Sequence, residues 1–106
     1  MAAETIDSLD TKITALATTV RRIEVSEAAR GQLRGMYLYC SSEVRMQRAA
    51  SPVADGGVAP TNDYAIVPAS TAYPVPIPPG QGTYIVTVWV TSGTPNLHID
   101  PQPVSR

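Results

Sequence analysis

Three shortages limit the chemistry open to this chain of 106 residues. Cysteine and histidine each occur once, as Cys40 and His98, and phenylalanine does not occur. A single cysteine excludes a disulfide within the chain, and the lack of a Cys/His cluster argues against a bound metal. Cys40 alternates with apolar neighbours and is expected to be buried, whereas His98 is expected at the surface. We therefore predict a protein without enzymatic activity and without a cofactor.

Proline and charge are each missing from one part of the chain. Residues 1–48 contain no proline but carry thirteen of the seventeen charged residues, whereas residues 49–106 carry all ten prolines. Residues 64–99 have no formal charge if His98 is neutral. Because proline lacks a backbone donor and stops helices, the second half cannot be helical for long. This contrast predicts a helix first and a β-domain after it.

Long apolar runs and basic patches are also missing. No stretch approaches the roughly 18 apolar residues that a membrane span needs, and the N-terminus lacks the pattern of a signal peptide. The net charge is −1, with no basic patch of the size that nucleic-acid binding requires. We expect a soluble protein with neither a nucleic-acid nor a membrane partner.

What is present at the N-terminus is an apolar seam over residues 6–23. Its members alternate at spacings of three and four, as the a and d positions of a coiled coil do, whereas an ordinary packed helix shows a wider stripe. The spacing predicts a coiled-coil helix over residues 1–34. Small uncharged flanking positions favour a homotrimer; a dimer, or a helix packed on its own domain, is the alternative. The predicted oligomer interface is Ile6, Leu9, Ile13, Leu16, Val20 and Ile23.

From residue 35 onward the apolar period changes to two, which is typical of strands. Proline at alternate positions of one segment predicts an edge strand there, and the Ser-Gly-Thr turn at residues 92–94 predicts a hairpin. The fold class is therefore predicted as α+β: a trimeric coiled-coil helix, then an antiparallel β-sandwich or barrel knob of about six strands with an extended tail over residues 35–106. The predicted strands lie in GMYLYCS, EVRMQRA, DYAIVP, YPVPIPPG, TYIVTVWVTSG and PNLHID.

A knob of about 70 residues is marginally stable alone, and small scaffolds usually need disulfides, metals or oligomerisation. A long uncharged β-region is also unusual on a free surface. Sister subunits or a host structure are expected to cover much of it.

Two sets of side chains are candidates for docking on a partner. Arginines around the helix exit would form a ring in a trimer and could meet an acidic protein surface, or they could form a solvated collar. Aromatic residues could stack on sugars or dock on a protein, or they could fill the core and the subunit interface. The predicted docking residues are Arg21, Arg22, Arg30, Arg34, Tyr37, Tyr39, Arg45, Arg48 and Trp89.

The chain from residue 35 onward resembles a group of small virion proteins of tailed bacteriophages. The resemblance lies in an opening like MYLYCSSEVRMQRAA, a Gly/Ala/Pro loop, the strand YAIVPA, the segment YPVPIPPGQGTYIVTVWV and the closing GTPNLHIDP. It implies a head decoration, cement or head-fibre protein, commonly trimeric, with the major capsid protein as partner and the head surface of the virion as location. The shared motifs are structural, so no functional residue carries over.

Two functions follow as hypotheses. The first is a structural virion protein that attaches to the phage head as a trimer and stabilises it. The second is a short fibre or tail-associated knob that binds a host glycan or receptor through its aromatic residues.

Overall fold

A computed structural model describes residues 3–48 and 52–104 of the chain. These residues form nine strands and one short helix, α1 (Glu27–Arg30), between the third and fourth strands. The strands are β1 (Glu4–Ile6), β2 (Lys12–Ala15), β3 (Arg21–Val25), β4 (Leu33–Cys40), β5 (Val44–Gln47), β6 (Ala65–Val67), β7 (Tyr73–Pro76), β8 (Tyr84–Trp89) and β9 (Asn96–Pro103).

The strands form two sheets that enclose one hydrophobic core. The five-stranded sheet has the order β1-β3-β8-β5-β6, and the four-stranded sheet has the order β2-β9-β4-β7. All described pairs are antiparallel except β1 with β3. Apolar side chains alternate inward along the central strands, such as Val86 and Val88 on β8 and Leu38 and Cys40 on β4. The architecture is a β-sandwich.

The predicted α+β fold class is wrong, because residues 3–34 contribute three whole strands, the start of a fourth and only four helical residues. Strands from both sides of residue 35 share both sheets. Ten of the 22 residues from 4 to 25 are Val, Ile or Thr, which lose rotamer freedom in a helix and pack well on a sheet. The three-four spacing of the seam arises from short strands separated by turns rather than from helical turns.

The six residues of the predicted coiled-coil seam have two different environments. Four of them, Ile6, Leu16, Val20 and Ile23, are at most 2% exposed in the core of their own chain, so they are not available to a sister subunit. Leu9 and Ile13 are 51% and 57% exposed. The homotrimer was inferred from a coiled coil that the described residues do not form. The number of chains in an assembly therefore stays untested.

The six strands predicted after residue 35 are present, since each of β4 to β9 overlaps one predicted segment; β4 begins before its segment, and β9 ends beyond its segment. The proline-rich strand β7 lies at a sheet edge, as predicted. The predicted hairpin at residues 92–94 is wrong because β8 and β9 belong to different sheets. The connection crosses between the sheets, where Val90 N donates to Ala17 O and Leu16 N donates to Pro95 O.

Gly35 allows the close approach of β7 to β4. A Cβ at this position would lie 2.8 Å from the carbonyl oxygen of Val75, whereas a Cβ at Gly31 would meet its nearest atom at 3.7 Å. We expect Gly35→Ala to lower the free energy of unfolding by about 1–3 kcal/mol, because backbone must move to admit the methyl group. Gly31→Ala, at a helical φ of −76°, should be neutral or stabilising by up to about 1 kcal/mol. Urea unfolding of both variants checks this pair, and equal effects would contradict the close approach.

Candidate functional site

The outer face of the five-stranded sheet is partly covered by the chain itself. Trp89 is on this outer face, since it alternates with the core residues Val88 and Val90, yet it is only 3% exposed. It lines a groove together with Ala59 and Pro60 of the connection between β5 and β6. We call residues 52–63 of this connection the strap. Its only tryptophan is therefore buried within the chain, beside the strap.

Hydrogen bonds of Asp55 attach the strap to the start of β3. The Asp55 carboxylate accepts from the backbone N–H of Arg22 at 2.8 Å and from Arg21 Nη1 at 3.2 Å. Arg21 Nε also donates to Oγ1 of Thr14 at 2.8 Å, and Thr14 belongs to β2 of the other sheet. Backbone bonds join Val20 to Gly56 and Gly57. Arg21, a predicted docking residue, thus links both sheets and the strap.

A second cluster supports the strap where it returns to the sheet. The rings of Tyr64 and Trp89 meet edge to face, with centroids 5.7 Å apart. The Arg45 guanidinium lies 4.9 Å from the centre of the Tyr64 ring, and its Nη1 donates to the Tyr64 hydroxyl at 2.6 Å. Arg45 and Trp89 were both predicted to dock on a partner, and the structure gives both of them partners within the chain.

The remaining predicted arginines lie on several elements, and the ring that they would form in a trimer stays a prediction. Arg30 donates to the carbonyl oxygens of Pro78 and Gln81 and lies over the ring of Tyr84. Arg48 approaches the hydroxyl of the same tyrosine at 3.5 Å. The other two are Arg22, which pairs with Glu24 at 3.0 Å, and Arg34, which is exposed at the start of β4.

The outer face of the four-stranded sheet is open and carries exposed aromatic side chains. Tyr37 and Tyr39 project outward from β4 and are 36% and 42% exposed, while their neighbours Met36, Leu38 and Cys40 point into the core. The strand register sets two rows across the sheet. We call this surface the tyrosine face; its rows are Ile13, His98 and Tyr39, and Asp100, Tyr37 and Pro74.

A shallow groove of about 420 Å³ lies on the tyrosine face. Tyr39 and His98 meet edge to face with centroids 6.2 Å apart, and Thr11 Oγ1 donates to Asp100 Oδ1 at 3.4 Å. Two flat rings with a carboxylate and an imidazole beside them can stack on a ligand and hydrogen-bond its polar groups. The residues that line the groove are Thr11, Tyr37, Tyr39, Ala72, His98 and Asp100.

The sequence analysis named Tyr37 and Tyr39 of this site as docking residues, and it named no other residue of the groove as a candidate. The alternation in NLHID places His98 and Asp100 on one face of a strand, and His98 is exposed as predicted. Alternation does not show which strand pairs with β9, because β4 and β9 are more than 50 residues apart in the chain. The pairing of Tyr39 with His98 and of Tyr37 with Asp100 is visible only in the sheet register.

The described residues contain no candidate metal cluster, and their single cysteine is buried. Within residues 3–48 and 52–104, no group of three or more His, Cys, Asp or Glu could hold a metal ion. Cys40 is fully buried, as its alternation with apolar residues predicts. Over the same two ranges, no helix has the length and apolarity that a membrane crossing needs.

Comparison of the chain with protein-family models, with curated proteins and with solved structures finds no match.

Proposed function

We propose that this chain is a non-enzymatic structural protein of a phage virion, which attaches to the major capsid protein on the head surface through its tyrosine face. The phage assignment rests on the resemblance of residues 35–106 to small virion proteins. The attachment surface rests on one structural observation: the strap covers part of one outer sheet face, whereas the other is left open with Tyr37 and Tyr39 exposed.

The composition of the tyrosine face supports docking on a protein. Tyrosine is enriched at interface hot spots, where a large ring gives contact area at little cost in conformational entropy. Ile13 and Pro74 add apolar surface along the same rows. Asp100 and His98 add polar groups that can set the orientation of the partner.

Co-sedimentation with capsid particles of the same phage tests the attachment. The double variant Tyr37→Ala/Tyr39→Ala should weaken binding at least tenfold, since loss of one hot-spot residue typically costs about 2 kcal/mol or more. The matched control is Ile66→Ala, which removes an exposed apolar side chain from the outer face of the five-stranded sheet. Binding of the double variant at the level of the native chain would refute the proposed surface.

A saccharide ligand is a second candidate, favoured by the polar rim of the groove. Asp100 and His98 lie beside two rings that are about 7 Å apart along one strand, so a saccharide can stack on a ring while its hydroxyl groups bond the polar side chains. A glycan-binding assay with the native chain and with Asp100→Asn distinguishes the candidates. Saccharide binding that depends on Asp100, together with no binding to capsids, would favour the fibre or tail knob.

A further inference from the structure

The four sheet edges of the molecule differ in how well they resist pairing with another chain. β1 and β6 are each three residues long, and short edge strands offer few backbone groups. β7 carries Pro74 and Pro76, which have no N–H to offer. β2 is the exception among the described strands: it has four residues, no proline and β-branched Ile13 and Thr14 at its centre.

Among residues 3–48 and 52–104, no strand pairs with the second side of β2. β2 pairs with β9 on one side and is the terminal strand of its sheet. Leu16 N donates to Pro95 O one residue beyond the end of this ladder, and N–H groups alternate in direction along a strand. The N–H and C=O groups of Lys12 and Thr14 therefore face β9, and those of Ile13 and Ala15 face outward.

An apolar side chain lies at the same edge. Ile13 is 57% exposed, and an open groove of about 550 Å³ runs beside residues 13–17. An unprotected β-branched edge strand with exposed apolar side chains is a template for strand addition. The remaining question is which strand fits it.

We propose that β2 pairs antiparallel with the β2 of a second copy of this chain, with Ile13 at the two-fold axis. This register places Ile13 of each copy opposite Ile13 of the other, so the two exposed side chains cover each other. Thr11 of one copy meets Ala15 of the other. An interface of this type is isologous and closes as a dimer.

The charges at the edge permit this register. Lys12 is the only charged residue of β2, and edge lysines usually discourage strand pairing. Here each Lys12 lies opposite Thr14 of the other copy, so no like charges face each other. The contact is small, however, and interfaces of this size are typical of weak complexes. We expect a dissociation constant in the micromolar range.

The pairing would join the two four-stranded sheets into one of eight strands. Because the two-fold axis is perpendicular to the sheet, both tyrosine faces point the same way. A partner with repeated binding sites would then meet two docking surfaces at once, which raises the apparent affinity without any new contact. The dimer itself does not depend on the proposed docking function and is measured without capsids.

Light scattering over a range of chain concentrations tests the dimer. The native chain should approach twice its mass of 11.3 kDa as the concentration rises. Ala15→Pro removes one outward N–H, as proline does at the edge strand β7, so this variant should stay monomeric. Ala15→Ser keeps the N–H and should dimerise like the native chain. Ile13→Lys, which sets two lysines opposite each other, should also stay monomeric.

Amide hydrogen exchange keeps the test decisive if Ala15→Pro fails to fold. In the native chain, the amides of Ile13 and Ala15 should exchange rapidly when dilute and become protected on concentration. A native chain that remains monomeric at millimolar concentration would overturn the proposal. A trimer, or a dimer that Ala15→Pro leaves intact, would also overturn it, because the contact would then lie elsewhere.

Discussion

Leu16→Ala should lower the free energy of unfolding by about 2–5 kcal/mol, whereas Ile13→Ala should change it by about 0.5 kcal/mol or less. Leu16 is 1% exposed and belongs to the core between the two sheets, so its truncation leaves a cavity. Ile13 projects from β2 to the outside and is 57% exposed. A coiled coil would give the two side chains equal roles as neighbouring d and a positions.

Urea unfolding of dilute samples, followed by far-ultraviolet circular dichroism, measures both variants as monomers. Ile23→Ala serves as a second core variant, because Ile23 lies on β3 of the other sheet and is fully buried. It should behave like Leu16→Ala. Equal losses for Leu16→Ala and Ile13→Ala, together with a strong helical signal in the native chain, would contradict the sandwich. A β-type spectrum with unequal losses supports it.

The first 34 residues show why the spacing of apolar residues misled the prediction. Leu16 and Ile23 are both buried, but Leu16 follows β2 of one sheet and Ile23 lies on β3 of the other, and the residues between them happen to complete a heptad. The residue types pointed the other way, since Thr5, Thr14 and Thr19 are β-branched and suit a strand better than a helix. For short strands, residue type predicted the secondary structure more reliably than the spacing of apolar residues did.

The second half of the chain was easier to predict because its strands are longer and regular. Val86 and Val88 alternate with Ile85 and Thr87 within the six residues of β8. A period of two residues fits a strand and does not fit a helix. The order of the strands in the two sheets could not be predicted in this way. The separation of β8 from β9 into two sheets depends on contacts with residues 16 and 17, which are far away in sequence.

The same limit applies to the candidate site. Alternation alone placed Tyr37 and Tyr39 on one face of a strand, but it could not say whether that face would be covered. Trp89 alternates outward from β8 in the same way and lies beneath the strap. Whether an outward aromatic side chain is exposed depends on the path of a loop, which local sequence does not encode.

Trp89→Ala should therefore lower the free energy of unfolding by about 3–5 kcal/mol, while Tyr39→Ala should lower it by about 1 kcal/mol or less. Trp89 is 3% exposed and packs edge to face on Tyr64 beneath the strap, whereas Tyr39 is 42% exposed on the open face. Binding to the capsid should show the opposite order, measured on folded protein at low temperature: Tyr39→Ala weakens it, and Trp89→Ala leaves it unchanged.

Fluorescence offers a direct measurement, because Trp89 is the only tryptophan in the chain. Its emission should lie at short wavelength in the native protein and move to longer wavelength on unfolding, and capsid binding should leave it in place. Trp89→Phe is the matched control, since it keeps a ring against Tyr64 and should lose less stability than Trp89→Ala. A native emission typical of exposed tryptophan, or a shift on capsid binding, would mean that the strap does not cover Trp89. The capsid-binding surface would then lie on the five-stranded sheet instead.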